Sequence, residues 1–361
     1  MNRPANSLAA VFEGVGKPLR IASFPLREPP PGHILARVRL AALCGSDLHT
    51  VAGRRSEPIP LILGHEIVAE VAALGAGVTK SSAGLPLDIA DRITFSIMAS
   101  CGRCPNCRRA IPQKCESLFK YGHSPCTDDP PLSGGLAEYI CLRPGTAVFH
   151  VPPHLPDRVV CPANCALATA LNAIETAGIT PEERVWVQGA GLLGLYCTAL
   201  LDDLRVAEIV VTDLDEERLK LASKFGAHHT LNVAAMSADQ TVDALGRNRF
   251  DCIVEASGNP SVVRPGVSTL ALKGRYVIVG LVCPGSDFTI DGNTVARNYL
   301  TLTGIHNYAP AHLARALAFL ERTSSRLPYE NLVGEVLPLS KVADAFALAR
   351  AKRNVRVAVR P

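Results

Sequence analysis

A chain of 361 residues exceeds what one hydrophobic core usually serves, so two domains are expected. With 48% hydrophobic and 19% charged residues it reads as globular and not as disordered. The net charge of +4 is spread out, and the densest basic cluster, Ala351-Lys-Arg-Asn-Val-Arg356, is short and lacks interleaved aromatics, which argues against a nucleic-acid surface. No apolar run approaches the ~20 residues of a membrane helix and none at the N-terminus has signal-peptide length, so a cytoplasmic, membrane-free protein is expected.

From about residue 8 short β-like runs alternate with turn residues. Leu8-Ala-Ala-Val-Phe, the run from His33 to Leu40 and that from Glu66 to Leu74 are separated by Glu28-Pro-Pro-Pro-Gly32, Gly75-Ala-Gly77 and similar breaks. They predict an irregular β-rich domain over residues 1–155. Near residue 160 the character changes. Ala166 to Ala177 reads as a helix and Arg184-Val-Trp-Val-Gln188 as a buried strand. Glu208 to Asp213 is a further strand, and Asp215 to Phe225 an amphipathic helix with apolar Leu219, Leu221, Ala222 and Phe225. Strands follow at Phe250–Glu255 and Gly274–Gly280. This alternation predicts a doubly wound parallel sheet over residues 156–304. A helix from Ala311 to Glu321 and a last helix–strand unit ending in Val355-Arg-Val-Ala-Val359 complete the first domain from about residue 305. The expected class is therefore α/β.

Gly189-Ala-Gly191-Leu192-Leu193-Gly194 follows a predicted strand and opens a predicted helix. Its glycines permit a tight turn, close approach of N–H groups to a pyrophosphate, and close helix–sheet packing. Asp213 ends the next strand, where a carboxylate accepts hydrogen bonds from an adenosine ribose and repels a 2′-phosphate; NAD is thus favoured over NADP. Arg218, one helical turn beyond, is either a second ribose contact or a solvated helix-face charge.

Twelve cysteines without an export signal point to thiols or metal ligands. Four of them, Cys101, Cys104, Cys107 and Cys115, fall in a C-x2-C-x2-C-x7-C run. Four thiolates closing one tetrahedron suit a structural zinc with no open position, and fit better than an isolated iron–sulfur cluster. Cys44 and His65 each lie beside glycine, and Cys165 precedes the nucleotide domain. A Cys2His set leaves a fourth position open, which is a catalytic zinc arrangement.

These features together resemble the zinc-containing medium-chain alcohol dehydrogenases. The likeness covers the chain from about residue 8 and rests on Cys44-Gly-Ser-Asp-Leu-His49, Gly64-His65-Glu66, the four-cysteine loop, Gly134-Gly-Leu-Ala-Glu-Tyr139, and the glycine turn with Asp213. It implies a GroES-like catalytic domain with a Rossmann domain, one catalytic and one structural zinc per subunit, and NAD. The resemblance makes Cys44, His65 and Cys165 the catalytic zinc ligands. It makes Glu66 an occasional fourth ligand or close neighbour of the metal, and Asp47 the acceptor that orients His65. Ser46 would bond the substrate hydroxyl, and His49 would carry its proton outward. A homodimer or homotetramer is implied as well.

Two departures stand out. Gly45 follows the first ligand where several relatives carry a basic residue facing the pyrophosphate, so Arg356 is a candidate for that charge; a basic surface strand is the alternative. Cys165 stands where polyol dehydrogenases commonly use Glu. Pocket walls are expected from Phe95, Ser96 and Ile97 and from the loop carrying Lys120, Tyr121 and His123. The stretch Pro112 to His123 looks like a subgroup associated with phosphonate metabolism, and cyclitol dehydrogenases share the framework. Both favour a polar, anionic alcohol or its ketone or aldehyde as substrate, with exposed loop residues the bland alternative for Lys120 and His123. Two other readings are a catalytically inactive nucleotide-binding relative, which would be expected to lose these ligands, and a zinc-independent enone or quinone reductase, which lacks the cysteine loop.

Overall fold

Antiparallel register brings the chemistry-bearing residues of the first half together. The computed structural model describes residues 3–351 and 354–361, so Lys352 and Arg353 of the basic cluster, with Met1 and Asn2, lie outside the described residues. The chain divides into two units, Met1–Cys165 with Tyr308–Pro361, and Ala166–Asn307.

In the first unit the strand Ile34–Ala42 pairs antiparallel with Glu66–Leu74, Ala42 lying opposite Glu66. The segment leaving one strand (Cys44) and the segment entering the other (His65) therefore emerge at the same end of the sheet. The C-terminal strand Arg356–Arg360 adds antiparallel to Ile34–Ala42 through Ala358 opposite Ala42, and the Leu43 N–H donates to Val357 O at 2.9 Å. That register delivers Arg356 to the same end. Strands Val333–Pro338, Arg92–Ala99 and Phe119–Lys120 extend the sheet, with Tyr139–Leu142 and Thr146–His150 pairing alongside. Its apolar face, including Val38, Ala41, Ile67, Ala69, Ile93, Phe95 and Ile140, forms the core of this unit.

The expected break near residue 155 shifts to Cys165. The turns Asp157–Val160 and Cys161–Asn164 are helical, which is why they read as part of the following domain. They are nonetheless fastened to the first sheet: the Cys161 thiol donates to Glu66 O at 3.0 Å, and the Asn164 side chain bonds His65 O and Phe95 O.

The second unit is a parallel six-stranded sheet. In chain order its strands are Arg184–Gln188, Glu208–Asp213, His229–Asn232, Phe250–Glu255, Leu270–Ile278 and Thr301–Gly304, and they lie in the order third, second, first, fourth, fifth, sixth. This is the strand order of dinucleotide-binding sheets, with its switch point between the first and fourth strands. The edge strands His229–Asn232 and Thr301–Gly304 escaped sequence reading because both are polar and largely exposed, with no apolar alternation to show. No helix among the described residues is long and apolar enough to cross a membrane.

Candidate active site and metal centres

Two groups of metal-ligand type stand out among the described residues: Cys44, His65 and Cys165, and Cys101, Cys104, Cys107 and Cys115. Within each group the ligand atoms lie within 4.8 Å of one another. Side chains so far apart in sequence converge this closely only where something organises them.

Asp47 is one organiser. It is fully buried; its Oδ2 accepts the Cys44 N–H at 2.8 Å and its Oδ1 the Gly64 N–H at 3.2 Å. Oδ1 also lies 3.5 Å from His65 Nδ1. One carboxylate thus clasps both ligand loops and turns the other ring nitrogen, Nε2, toward the cysteines, as second partners of metal-binding histidines do. Gly64, with φ +87°, makes the bend a side chain would strain.

Asn164 is the second organiser, and sequence reading passed over it. Completely buried, it donates from Nδ2 to His65 O and Phe95 O, each at 3.0 Å, and accepts from the Ile67 N–H at 3.2 Å. Tyr308 Oη donates to Asn164 O and accepts from the Ile97 N–H at 3.2 Å. The residue next to ligand Cys165 is thereby tied to ligand His65. An Asn beside a Cys is the only signal in the sequence, and nothing local marks it.

The thiols are electrostatically coupled. Cys44 is pushed well down, chiefly by a hydrogen bond from Cys165 and helped by Arg356 and His65, while Cys165 goes well up. Two sulfurs and an imidazole in one buried cluster suit a divalent ion that takes both as thiolates. In the four-cysteine loop the Cys101 N–H donates to Cys115 Sγ at 3.2 Å, and Cys104 Sγ stands 4.0 Å from Cys115 Sγ. Backbone N–H groups of Arg103 and Cys104 draw the Cys101 thiol down to about 6, while burial and neighbouring thiols push Cys107 up to about 12. Sulfur spacing of about 3.8 Å is what tetrahedral Zn–S bonds of ~2.3 Å require. Both donor sets fit zinc.

Arg356 has a partner the sequence did not announce. Its Nε and Nη2 donate to the fully buried Glu66 carboxylate at 3.1–3.3 Å, and Nη2 lies 3.7 Å from Cys44 Sγ. Burial pushes the Glu66 carboxyl above its ordinary range, and Arg356 pulls against it. The surface-strand reading of Arg356 is corrected: its side chain is 15% exposed.

Ser46 Oγ lies 3.4 Å from His65 Nε2, on the ligand-facing edge of the ring. His49 accepts at Nδ1 from Arg54 Nε at 2.8 Å. That contact keeps the proton of a neutral His49 ring on Nε2, so proton acceptance at Nδ1 needs the Arg54 contact to open. Phe95 is not a pocket wall. It is fully buried in the core and meets Tyr121 edge-on, centroids 5.5 Å apart, because its strand turns this position inward. His123 is also buried and lies against His65, ring centroids 4.8 Å apart, so the reading of it as an exposed loop residue is corrected. Lys120 is half-buried; burial, with Arg55 nearby, lowers its ammonium from 10.5 to about 8.

In the second unit Gly189 has φ +102°, and a Cβ on Gly194 would lie 1.8 Å from Gly189 O, so both positions need glycine. A Cβ on Gly191 would meet nothing within 4 Å, which leaves the space over the start of the helix Leu192–Asp203 open, as a pyrophosphate requires. Leu192 is buried beneath the turn, and Leu193 is half-buried. Asp213 Oδ2 accepts the Ala190 N–H at 2.6 Å, joining the acidic strand end to the glycine turn. Arg218 is half-buried in the first turn of the helix Glu216–Lys224. Sequence reading missed Glu255: fully buried, its Oε1 accepts from the Ser257 and Gly258 N–H groups and its Oε2 from the Gly280 N–H, at 2.7–3.0 Å, stapling two loops at the carboxyl end of the sheet.

A dinucleotide-type sheet in one unit and a three-ligand metal centre in the other define a metal-dependent, nucleotide-linked dehydrogenase. Comparison narrows this. Residues 30–153 match the alcohol dehydrogenase GroES-like domain and residues 193–322 the zinc-binding dehydrogenase domain. The chain is 30% identical over 333 residues to D-altritol 5-dehydrogenase of Agrobacterium fabrum, covering 90% of this chain and 91% of that one. It is 29% identical over 335 residues to 5-exo-hydroxycamphor dehydrogenase of Pseudomonas putida, covering 91% of each. A crystal structure of an alcohol dehydrogenase from Thermotoga maritima superposes with a TM-score of 0.92 at 28% identity, covering 99% of both chains. The chain belongs to the zinc-binding alcohol dehydrogenase family, and it is an oxidoreductase acting on CH–OH groups.

Proposed function

We propose that this enzyme oxidises a polar, anionic hydroxyl substrate (a phosphonate, phosphate or cyclitol), or reduces the corresponding carbonyl, with NAD as its partner. The observation that carries the reading is the convergence of Cys44, His65 and Cys165 with Asp47 clasping both ligand loops. A zinc ion in that set supplies Lewis acidity that brings an alcohol hydroxyl into a workable pKa range. The glycine turn and Asp213 would hold NAD, which would supply the hydride acceptor.

The remaining work falls to the chain. Asp47 and Asn164 hold the ligand loops rigid, so that orientation is set before substrate arrives. Ser46 Oγ accepts the substrate hydroxyl proton as it gives up its own, and His49 takes the released proton at Nδ1 when Arg54 leaves that nitrogen. Glu66, held on Arg356, stands by as an internal oxygen donor during substrate exchange. The acidic run Asp213, Asp215, Glu216 and Glu217 supports NAD over NADP, because a 2′-phosphate would meet several carboxylates there. The anionic preference rests on Lys120 and Arg55, whose mutual repulsion contributes to the lowered Lys120 pKa. A homodimer or homotetramer remains part of the proposal.

The test is reduced-cofactor absorbance across simple alcohols, polyols, cyclitols, their phosphates and hydroxyalkylphosphonates, with NAD and NADP. Turnover concentrated in an anionic class with NAD supports the reading. Equal turnover of neutral and anionic members removes the anionic part, and an absence of turnover throughout removes the activity.

A further inference from the structure

Of the three ligands at the reacting centre, Cys165 is the one whose direction no regular element sets. Asp47 clasps the loops that carry Cys44 and His65. Cys165 falls between two helical pieces: the turn Cys161–Asn164 ends before it and the helix Ala166–Ala177 starts after it. Its own backbone, at φ −127° and ψ −76°, belongs to neither. The atoms of a peptide lie in one plane, so holding the Asn164 carbonyl oxygen also holds N and Cα of Cys165. That peptide therefore decides where the Cys165 side chain points.

Tyr308 holds that oxygen. The residue is fully buried; its Oη donates to Asn164 O and accepts the Ile97 N–H at 3.2 Å. A carbonyl only accepts and an amide N–H only donates, so the phenolic proton has one place to go. The same strand takes the Asn164 side chain, whose Nδ2 donates to Phe95 O at 3.0 Å. Asn164 is thus fixed to the strand Arg92–Ala99 twice, once directly and once through the phenol. The chain leaves the first unit after Cys165 and returns to it at Tyr308. One hydrogen bond therefore joins residues 144 positions apart, at the two ends of that break. A phenylalanine would fill the same space, so packing alone does not account for the hydroxyl.

We propose that Tyr308 is a positioning residue for the third metal ligand: its hydroxyl sets the Asn164–Cys165 peptide and so brings Cys165 Sγ to Cys44 and His65. The inference rests on the dehydrogenase reading above, which makes these three side chains the zinc ligands. Without the hydroxyl, Asn164 O and the Ile97 N–H lose this partner in a buried place, where an unmet polar group is costly. The peptide is then free to turn, and Cys165 turns with it. Asp47 keeps its bonds to the Cys44 and Gly64 N–H groups, so two ligands stay and one leaves. The four-cysteine loop shares none of these groups and serves as the comparison within the same molecule.

The experiment loads cobalt(II) at the catalytic set and zinc in the four-cysteine loop, in wild type and in Tyr308→Phe. Near-ultraviolet thiolate-to-cobalt absorption counts the sulfurs on the metal, and a fully zinc-loaded sample gives the rate of release from each site to a chelator. Tyr308→Phe should show about half the thiolate absorption of wild type, one sulfur in place of two. Zinc should leave the catalytic set about tenfold faster or more, with release from the four-cysteine loop unchanged. Coupling is reciprocal, so metal should also strengthen the bonds of the phenol. In wild type, loading the catalytic set should slow hydrogen exchange of the Ile97 N–H about tenfold more than that of Ile93 on the same strand. This readout stands if Tyr308→Phe fails to fold. Any of three results overturns the inference and leaves the dehydrogenase reading in place: wild-type absorption and release in Tyr308→Phe, equally faster release from both metal sites, or Ile97 exchange indifferent to metal. Absence of thiolate-to-cobalt absorption at the catalytic set of the wild type overturns both.

Discussion

Arg356 Nε lies 3.1 Å from Glu66 Oε2, joining the last strand of the chain to the residue that follows ligand His65. A buried ion pair is costly to break on one side, because the remaining charge stays unpaired. Arg356→Ala should destabilise the fold by about 3–5 kcal/mol in urea unfolding. The double change Arg356→Met with Glu66→Met should destabilise less than Arg356→Ala alone. A double variant as unstable as the two singles summed would mean that the pair is not coupled.

Asn164 makes a similar connection without charge. Asn164→Ala strips the bonds from His65 O and Phe95 O, and Asn164→Asp replaces a double donor with an acceptor facing two carbonyls. Each uncompensated buried acceptor costs about 1–3 kcal/mol. Asp should therefore be the worse substitution, in melting temperature and in zinc retention during dialysis. Wild-type zinc affinity in Asn164→Asp would remove its positioning role.

Asp213 anchors the glycine turn and is the residue we propose to bond the ribose. Asp213→Ala should narrow the ratio of kcat/KM for NAD over NADP by raising KM for NAD, with kcat changed less. An unaltered ratio would place ribose recognition elsewhere, with Arg218 the next residue to change.

Lys120 gives a pH signature. With its ammonium lowered by burial to about 8, it is charged below that pH and neutral above it. KM for an anionic substrate should be lowest below pH 8 and rise by up to about tenfold per pH unit beyond. Lys120→Met should raise KM at low pH and abolish the rise. The folded-state pKa of about 8 lies below the ordinary 10.5, so the folded protein binds fewer protons between those values. This group therefore makes stability increase with pH across that window. A flat KM profile would argue against Lys120 as the anion contact.

Much of this was legible in the sequence wherever chemistry is local. The cysteine loop, the glycine turn and the strands Glu66–Leu74 and Phe250–Glu255 advertise themselves by spacing or by apolar runs. Pairings set by sheet register were not legible. Nothing near Arg356 predicts that antiparallel addition beside Ala42 brings it to Glu66, and nothing near Gly122 predicts its packing on Gly64. Phe95 was misplaced for a related reason: being near the site in sequence does not settle which face of a strand a side chain takes. Asn164 and Glu255 were missed because their work is done on distant backbone groups.

The central claim is that two separate zinc centres stand in one chain and only one of them reacts. Metal analysis with parallel activity assays on wild type, Cys44→Ala and Cys104→Ala tests it most directly. The account predicts two zinc ions per subunit in wild type and one in each variant. Cys44→Ala should have no turnover but intact NADH binding, and Cys104→Ala should be less stable to heat yet retain activity while folded. Full zinc content and activity in Cys44→Ala would contradict it.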